Sequence, residues 1–367
     1  MKKILITGMN KAQCTEDFFL RQQLQVVPSQ YAVLRCLREM GYEVEQREVA
    51  LGEDISHYDE VIFYMHSPQS FCQNLYSGCY ALSQRPDAIL AFDDWQVDQI
   101  YGGIQGFRGN LDEPEDKAFR QYLLDLQCTQ YDINTLKKYK DNFVAACDIM
   151  LNKENRLLIS AFDLGDLSLL NLGWNPDKIY RFNPNPYHYN RTPDNDFLSG
   201  VSTLFGGGVE VKDKKLEWNF ASLVQKKTRK WLKLQNIQEW PMNIYGAKRG
   251  EEKSERLTED QMCKVYAEQW GCLMPGYFHS GSGWWRARPL QVADAGSILI
   301  GDPKELFVYY QDEYLSTRIA EDIEAMNVKQ LQEFAQGQRD ALYKHHPLDK
   351  EKTRSEFEIV LNAWKII

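Results

Sequence analysis

Five short apolar runs restrict this chain more than any other feature: Lys3-Ile-Leu-Ile6, Val61-Ile-Phe-Tyr64, Ile89-Leu-Ala-Phe92, Leu157-Leu-Ile-Ser160 and Ser297-Ile-Leu-Ile300. Each has strand length and is apolar on both faces of an extended chain, which suits a parallel sheet covered from both sides. Helical spacing appears between them. Tyr31, Leu34, Leu37 and Met40 recur every three residues, and Gly41 suits the stop. Tyr42 to Val49 alternates like a further strand, and Lys178-Ile-Tyr-Arg-Phe182 adds another. Strands alternating with helices predict a doubly wound α/β architecture. Ligands of such sheets gather at the carboxyl ends of the strands.

Three polar groups follow strand ends in the first half: the loop that begins with Gly8, the pair His66-Ser67, and Asp93-Asp94-Trp95. The region Gln99 to Arg156 reads as a helical excursion beside the site. It opens with a mobile glycine-rich loop, Tyr101 to Gly109, which carries Arg108, and continues through helical segments at 116–126 and 133–151. The second half holds Ser280-Gly-Ser-Gly-Trp-Trp-Arg-Ala-Arg-Pro-Leu-Gln-Val-Ala-Asp-Ala-Gly-Ser-Ile-Leu-Ile-Gly301. This is a glycine loop, a short helix with Pro289 in its first turn and Gly296 at its stop, and a buried strand. A glycine loop feeding a helix N-terminus offers free N–H groups and a favourable dipole to an anion. Arg288 and Gln291, three apart, share one face there, one suited to a phosphate and the other to a hydroxyl. An ordinary helix–strand connection has the same spacing.

With 367 residues the chain accommodates two domains. Composition shifts between Lys212 and Arg256, where twelve Lys and Arg outnumber six acidic residues. The net charge of −9 argues against a protein that coats DNA, although a local basic patch suffices to hold nucleic acid. Eight cysteines without a C-x-x-C pair read as reduced, mostly buried thiols. No stretch approaches the roughly 18 apolar residues of a membrane span. Further elements expected in the second half are strands at Leu216–Phe220 and Met242–Tyr245, and helices at Gln225–Leu234, Thr258–Trp270, Glu313–Met326, Val328–Tyr343 and Ser355–Trp364. Thr258 with Gln261, and Ser355 with Glu358, have the spacing of capping boxes.

Two α/β domains, the proline-rich connection Asn183-Pro-Asn-Pro186 and the segment Arg288 to Ile300 together resemble the GT-B glycosyltransferases. The resemblance implies two Rossmann-like domains facing a central cleft. The expected boundaries are an acceptor-side domain at 1–182, a linker at 183–195, a nucleotide-sugar domain at 196–345, and a C-terminal helix at 346–367 that packs back on the first domain. Within that group the chain is similar to the T-even phage DNA beta-glucosyltransferase family. Val27-Pro28-Ser29 opens a helix that ends in Glu39-Met40-Gly41, Phe92-Asp93-Asp94 ends a strand, and Asn243-Ile-Tyr-Gly246 precedes the donor site. The basic segment with Lys226, Lys227 and Arg229 falls where that family has phosphate-binding arginines.

The resemblance implies transfer of a sugar, glucose or a pentose such as arabinose, from a UDP-sugar to a modified cytosine such as 5-hydroxymethylcytosine in phage DNA. Asp94 takes the base role, with His66 in reserve. Gly8, Lys226, Arg229, Gly246, Ser280, Gly281, Ser282, Gly283, Arg286, Arg288 and Gln291 form the donor site. Ser29, His66, Asp93, Trp95 and Arg108 lie toward the acceptor. The motifs require no metal. A monomer in the cytoplasm of an infected bacterium, without membrane attachment, is the expected setting. Two departures stand out: Gln291 replaces the family's donor glutamate, and no acidic residue follows Ser29. Asp93 and Asp94 also suit a helix cap or a solvated loop, and the lysines a solvated face. A GT-B enzyme acting on a glycan or small molecule is the alternative.

Overall fold

The protein is described by a computed structural model. It describes residues 2–8, 28–65, 75–92, 97–112, 121, 132–160, 169–183, 214–220, 242–244, 259–274, 289, 292–293, 295–301, 306, 310, 314, 323, 325–345, 347 and 349–366. The chain divides into two compact units. The first comprises Met1–His188 with Asp349–Ile367, and the second Tyr189–Leu348.

The first unit is built on six parallel strands: β1 (Lys3–Gly8), β2 (Glu43–Gln46), β3 (Glu60–Tyr64), β4 (Ile89–Phe92), β5 (Leu157–Ser160) and β6 (Ile179–Phe182), in the order β2-β1-β3-β4-β5-β6. The helices are α1 (Pro28–Glu39), α2 (Leu75–Ser83), α3 (Val97–Asn110), α4 (Ile133–Lys138) and α5 (Lys140–Leu151). Leu5, Val61, Phe63, Leu90, Leu157 and Ile159 present one face of the sheet to a single apolar cluster. Tyr101, Ile104, Phe107 and Leu111, from α3 and its end, close that cluster together with Phe143, Ala146, Cys147 and Met150 of α5.

That packing corrects the reading of 99–156 as an excursion. The segment is the crossover from β4 to β5, and its helices form one cover of the sheet. Tyr101–Gly109 is not a loop but the body of α3. Its glycines weaken helix propensity by about 1 kcal/mol each. The apolar residues recurring at 101, 104, 107 and 111 nevertheless bury one whole stripe, and burial of large side chains at about 1.5–3 kcal/mol each outweighs the propensity deficit. Tyr139 (φ −112°, ψ 23°) divides the expected helix at 133–151 into α4 and α5.

The second unit holds β7 (Lys215–Phe220), β8 (Met242–Ile244), α6 (Glu259–Glu268), β9 (Gln269–Met274), β10 (Ile298–Gly301) and α7 (Val328–His345). Its four described strands are parallel in the order β10-β9-β7-β8. Gln269–Met274 is a fully buried strand. Trp270 therefore belongs to β9, not to the end of the preceding helix as its spacing suggested. The last helix, α8 (Lys350–Ala363), returns to the first unit. Asp349 caps it by accepting from the Lys352 N–H at 2.9 Å, so Ser355 lies inside the helix and not at its cap. Phe357 stacks on Tyr180 of β6 at 5.5 Å and meets Phe182 edge-on at 5.1 Å. Lys350 pairs with Glu39 at 2.6 Å. No helix among the described residues is long and apolar enough to cross a membrane.

Candidate active site

In both sheets the first strand lies between the second and third, so the winding reverses between β1 and β3 and again between β7 and β9. Chain connections then leave in opposite directions and open a crevice at the carboxyl ends. In the first unit that edge is flush. Gly8 pairs with Tyr64 and Tyr64 with Ala91, and the Met65 N–H continues the ladder to the Ala91 carbonyl at 2.7 Å. A Cβ at Gly8 would lie 2.5 Å from the Tyr64 carbonyl oxygen. Only a glycine lets β1 end this close to β3.

The candidate residues hang from these ends. Gly8 closes β1. The α1 helix is the crossover from β1 to β2, so its N-terminus, with Ser29 in the first turn, lies at the same edge and directs its free N–H groups there. His66 follows Met65, and Asp93, Asp94 and Trp95 fall in the segment 93–96 between β4 and α3; these four lie outside the described residues. Arg108 is not at this edge. It occupies the last turn of α3, about 16 Å along the helix from Val97 at 1.5 Å per residue. Its guanidinium pairs with Asp148 at 2.9 Å, and that bond holds the Arg108 pKa above its ordinary value. The helical placement of Arg108 removes it from the mobile loop assigned to it.

Two side chains at this edge were not singled out by sequence. Thr7 Oγ1 and Gln30 Nε2, one residue before Gly8 and in the first turn of α1, are buried and have no hydrogen-bond partner among the described residues. A buried polar atom unsatisfied by the fold needs an explanation, and a polar occupant is one. Thr7 gives no sequence signal, because a threonine within an apolar strand is ordinary. Arg47 follows the end of β2, yet its charge is spent within the wall. It donates to Glu53 at 2.6 Å and to the Tyr58 hydroxyl at 3.0 Å. Hydrogen bonds from the Tyr58 hydroxyl and from Lys3 hold the Glu45 carboxyl at about 2.

In the second unit, Pro289, Val292 and Ala293 are helical and buried. Gly296 stands at φ +62°, with its N–H on the Ala293 carbonyl and the Ser297 N–H on the Val292 carbonyl at 3.1 Å. This left-handed stop turns the helix into β10. Gly301 ends β10 as Gly8 ends β1: a Cβ there would lie 2.5 Å from the Met274 carbonyl oxygen. Lys226, Arg229, Gly246, Ser280, Gly281, Ser282, Gly283, Arg286, Arg288 and Gln291 lie outside the described residues. Within the basic region, Lys214 is half-buried. Its amine donates to the Ala295 carbonyl at 2.8 Å and to Ser297 Oγ at 2.7 Å, 5.3 Å from the Trp270 ring centroid. Burial pulls its pKa down to about 8. It tethers the approach to β10, so this member of the basic run is not a solvated charge. No cluster of candidate metal ligands occurs among the described residues.

No family model matches the chain, and no curated protein sequence matches it. Solved structures do. A phage T4 beta-glucosyltransferase complex with UDP and Mn²⁺ superposes with a TM-score of 0.57 at 10% identity, covering 98% of this chain and 99% of that one. A crystal structure of the DNA-modifying beta-glucosyltransferase, described with and without uridine diphosphoglucose, gives 0.55 at 10% identity and the same coverage. The phage T4 enzyme with its UDP-glucose substrate gives 0.54 at 11% identity, again over 98% and 99% of the two chains. The chain therefore has the GT-B fold of two doubly wound parallel-sheet domains.

Proposed function

We propose that this protein transfers a sugar from a UDP-sugar to the hydroxyl of a modified cytosine in DNA. The observation that carries the proposal is the likeness to the phage T4 beta-glucosyltransferase over 98% of the chain, on a fold whose first sheet ends flush beneath Gly8 and the segment holding Asp94. Two residues of chain separate Asp94 from Phe92, a span of at most about 7 Å. Asp94 accepts the proton of the acceptor hydroxyl as that oxygen attacks the anomeric carbon. The bond from that carbon to the diphosphate breaks, and UDP leaves with the electron pair. Arg286, Arg288, Lys226 and Arg229 offset the developing charge, and the N–H groups of Ser280–Gly283 bind the diphosphate. Gln291 holds the ribose by hydrogen bonds without charge. The acceptor base leaves the DNA stack to reach the Asp94 carboxylate. We assign residues 1–182 to the acceptor side and 196–345 to the donor.

The sugar is glucose or a pentose such as arabinose, and the uncharged Gln291 is where donor choice departs from the family's pattern. The test is incubation with UDP-glucose or UDP-arabinose and DNA containing 5-hydroxymethylcytosine, read by nucleoside mass spectrometry. A hexose or pentose mass gain identifies the donor. Asp94→Ala is expected to lower the rate by at least about a hundredfold while retaining UDP binding. No mass gain with either donor, or wild-type turnover in Asp94→Ala, rejects the assignment.

A further inference from the structure

We propose that a cavity at the amino edge of the first sheet is a second ligand site, one that binds a phosphorylated small molecule. The cavity lies at the opposite strand ends from Gly8. Lys2 precedes β1, Glu60 opens β3, Arg156 precedes β5 and Lys178 precedes β6. Trp364, Lys365 and Ile366, beyond the end of α8, complete its wall. Its volume is about 430 Å³, the size of a small-molecule site.

The wall carries equal numbers of acidic and basic groups, but they are engaged differently. Glu60 and Asp87 are paired with arginines, whereas Asp59 and Glu154 each accept one hydrogen bond from a neutral donor and keep their charge. Asp59 accepts from the Lys3 N–H at 2.7 Å, and Asp87 from the Arg85 guanidinium at 2.9 Å. Glu60 takes both arms of Arg156 at 2.8 and 3.0 Å, and Glu154 accepts from Asn175 at 2.9 Å. Lys178 and Lys365 pair with no carboxylate among the described residues, and Lys2 donates to the Ile366 carbonyl. Beyond the arginine-paired carboxylates the wall offers the ammonium groups of Lys2, Lys178 and Lys365, the donors a phosphate requires.

The backbone supplies an independent observation. Among the described residues, three helix ends other than that of α8 close with a left-handed residue, and each is glycine: Gly41 at φ +88°, Gly173 at φ +86° and Gly296 at φ +62°. Helix α8 ends the same way, with the Lys365 N–H on the Asn362 carbonyl and the Ile366 N–H on the Leu361 carbonyl, both at 2.9 Å. Its left-handed residue is Lys365, at φ +58°. A side chain in that conformation costs about 1 kcal/mol relative to glycine. The lysine is kept at a strained position on the cavity wall, where glycine would serve the helix better.

Titration calorimetry with inorganic pyrophosphate in saturating UDP, which occupies the donor site of the proposed function, on the full chain and on Lys178→Ala and Lys365→Gly, tests the proposal. Binding by the unaltered protein, weakened at least about tenfold in both variants, is the expected result. Thermal unfolding shows that Lys365→Gly remains folded, with its melting temperature unchanged or raised. Absence of binding at millimolar pyrophosphate overturns the proposal. So does unaltered affinity in either variant, which would place the anion elsewhere.

Discussion

Leu299 lies on β10, the outer strand of the second sheet among the described residues, where a backbone N–H and C=O point away from β9. Gln338 of α7 answers both. Its Oε1 accepts from the Leu299 N–H and its Nε2 donates to the Leu299 carbonyl, each at 2.9 Å, and the side chain is 1% exposed. One amide side chain thus stands in for a further strand and blocks edge pairing. Gln338→Leu leaves both Leu299 groups buried without partners, at about 1–3 kcal/mol each. Urea unfolding is expected to show a loss of about 3 kcal/mol; a loss below about 0.5 kcal/mol would mean that water replaces the amide. Nothing local marks Gln338 in sequence, because a glutamine within an amphipathic helix reads as surface. Gly8 was legible by contrast, since a glycine after an apolar run announces a strand end, although its steric necessity needed Tyr64 beside it.

At the scale of elements, α3 and α8 show how local signals yield to burial. The glycines at 102, 103, 106 and 109 spelled a loop, yet the apolar stripe through Phe107 holds them in a helix. Ser355 and Glu358 had capping-box spacing, but the helix starts at Asp349, because Thr353 and Phe357 must both reach the sheet side. β9 escaped notice because Gly271 interrupts its apolar run and it follows α6 with no intervening turn residue. Docking of α8 rests on Phe357, 0% exposed between Tyr180 and Phe182. Phe357→Ala is expected to cost about 3–5 kcal/mol and to speed amide exchange in β6 above other strands. Exchange rising equally throughout the first unit would show instead that α8 and the sheet open as one.

At the scale of the molecule, stability follows pH through groups at both ends of the range. Glu45 is held at about 2, below its unfolded value near 4.5, so its contribution is present above pH 4.5 and is lost as pH falls through 2. Lys214 acts with the opposite sense. Its folded value of about 8 lies below the unfolded 10.5, so between these values the unfolded chain binds more protons and stability rises with pH. The charged, half-buried amine therefore penalises the fold most fully below pH 8. Lys214→Met is expected to exceed the unaltered protein in stability at pH 7, with the difference shrinking toward pH 10.5. Urea midpoints across that range check it, and a difference independent of pH would remove the half-buried charge as the cause.

The sequence alone determined that two parallel, doubly wound sheets form, because apolar runs of strand length are a local property and must be covered on both faces. It also determined the left-handed stops at Gly41 and Gly296, because only glycine adopts that backbone without strain. Tertiary structure alone decided that 101–109 is helix, that Gln338 satisfies the edge of β10, that Lys214 is half-buried and that Lys365 faces a cavity. Each depends on a partner distant in the chain, as Leu299 is from Gln338 and Ser297 from Lys214. Helical period and glycine content report a residue's neighbours in sequence, whereas burial and hydrogen bonding at these positions are set by neighbours in space.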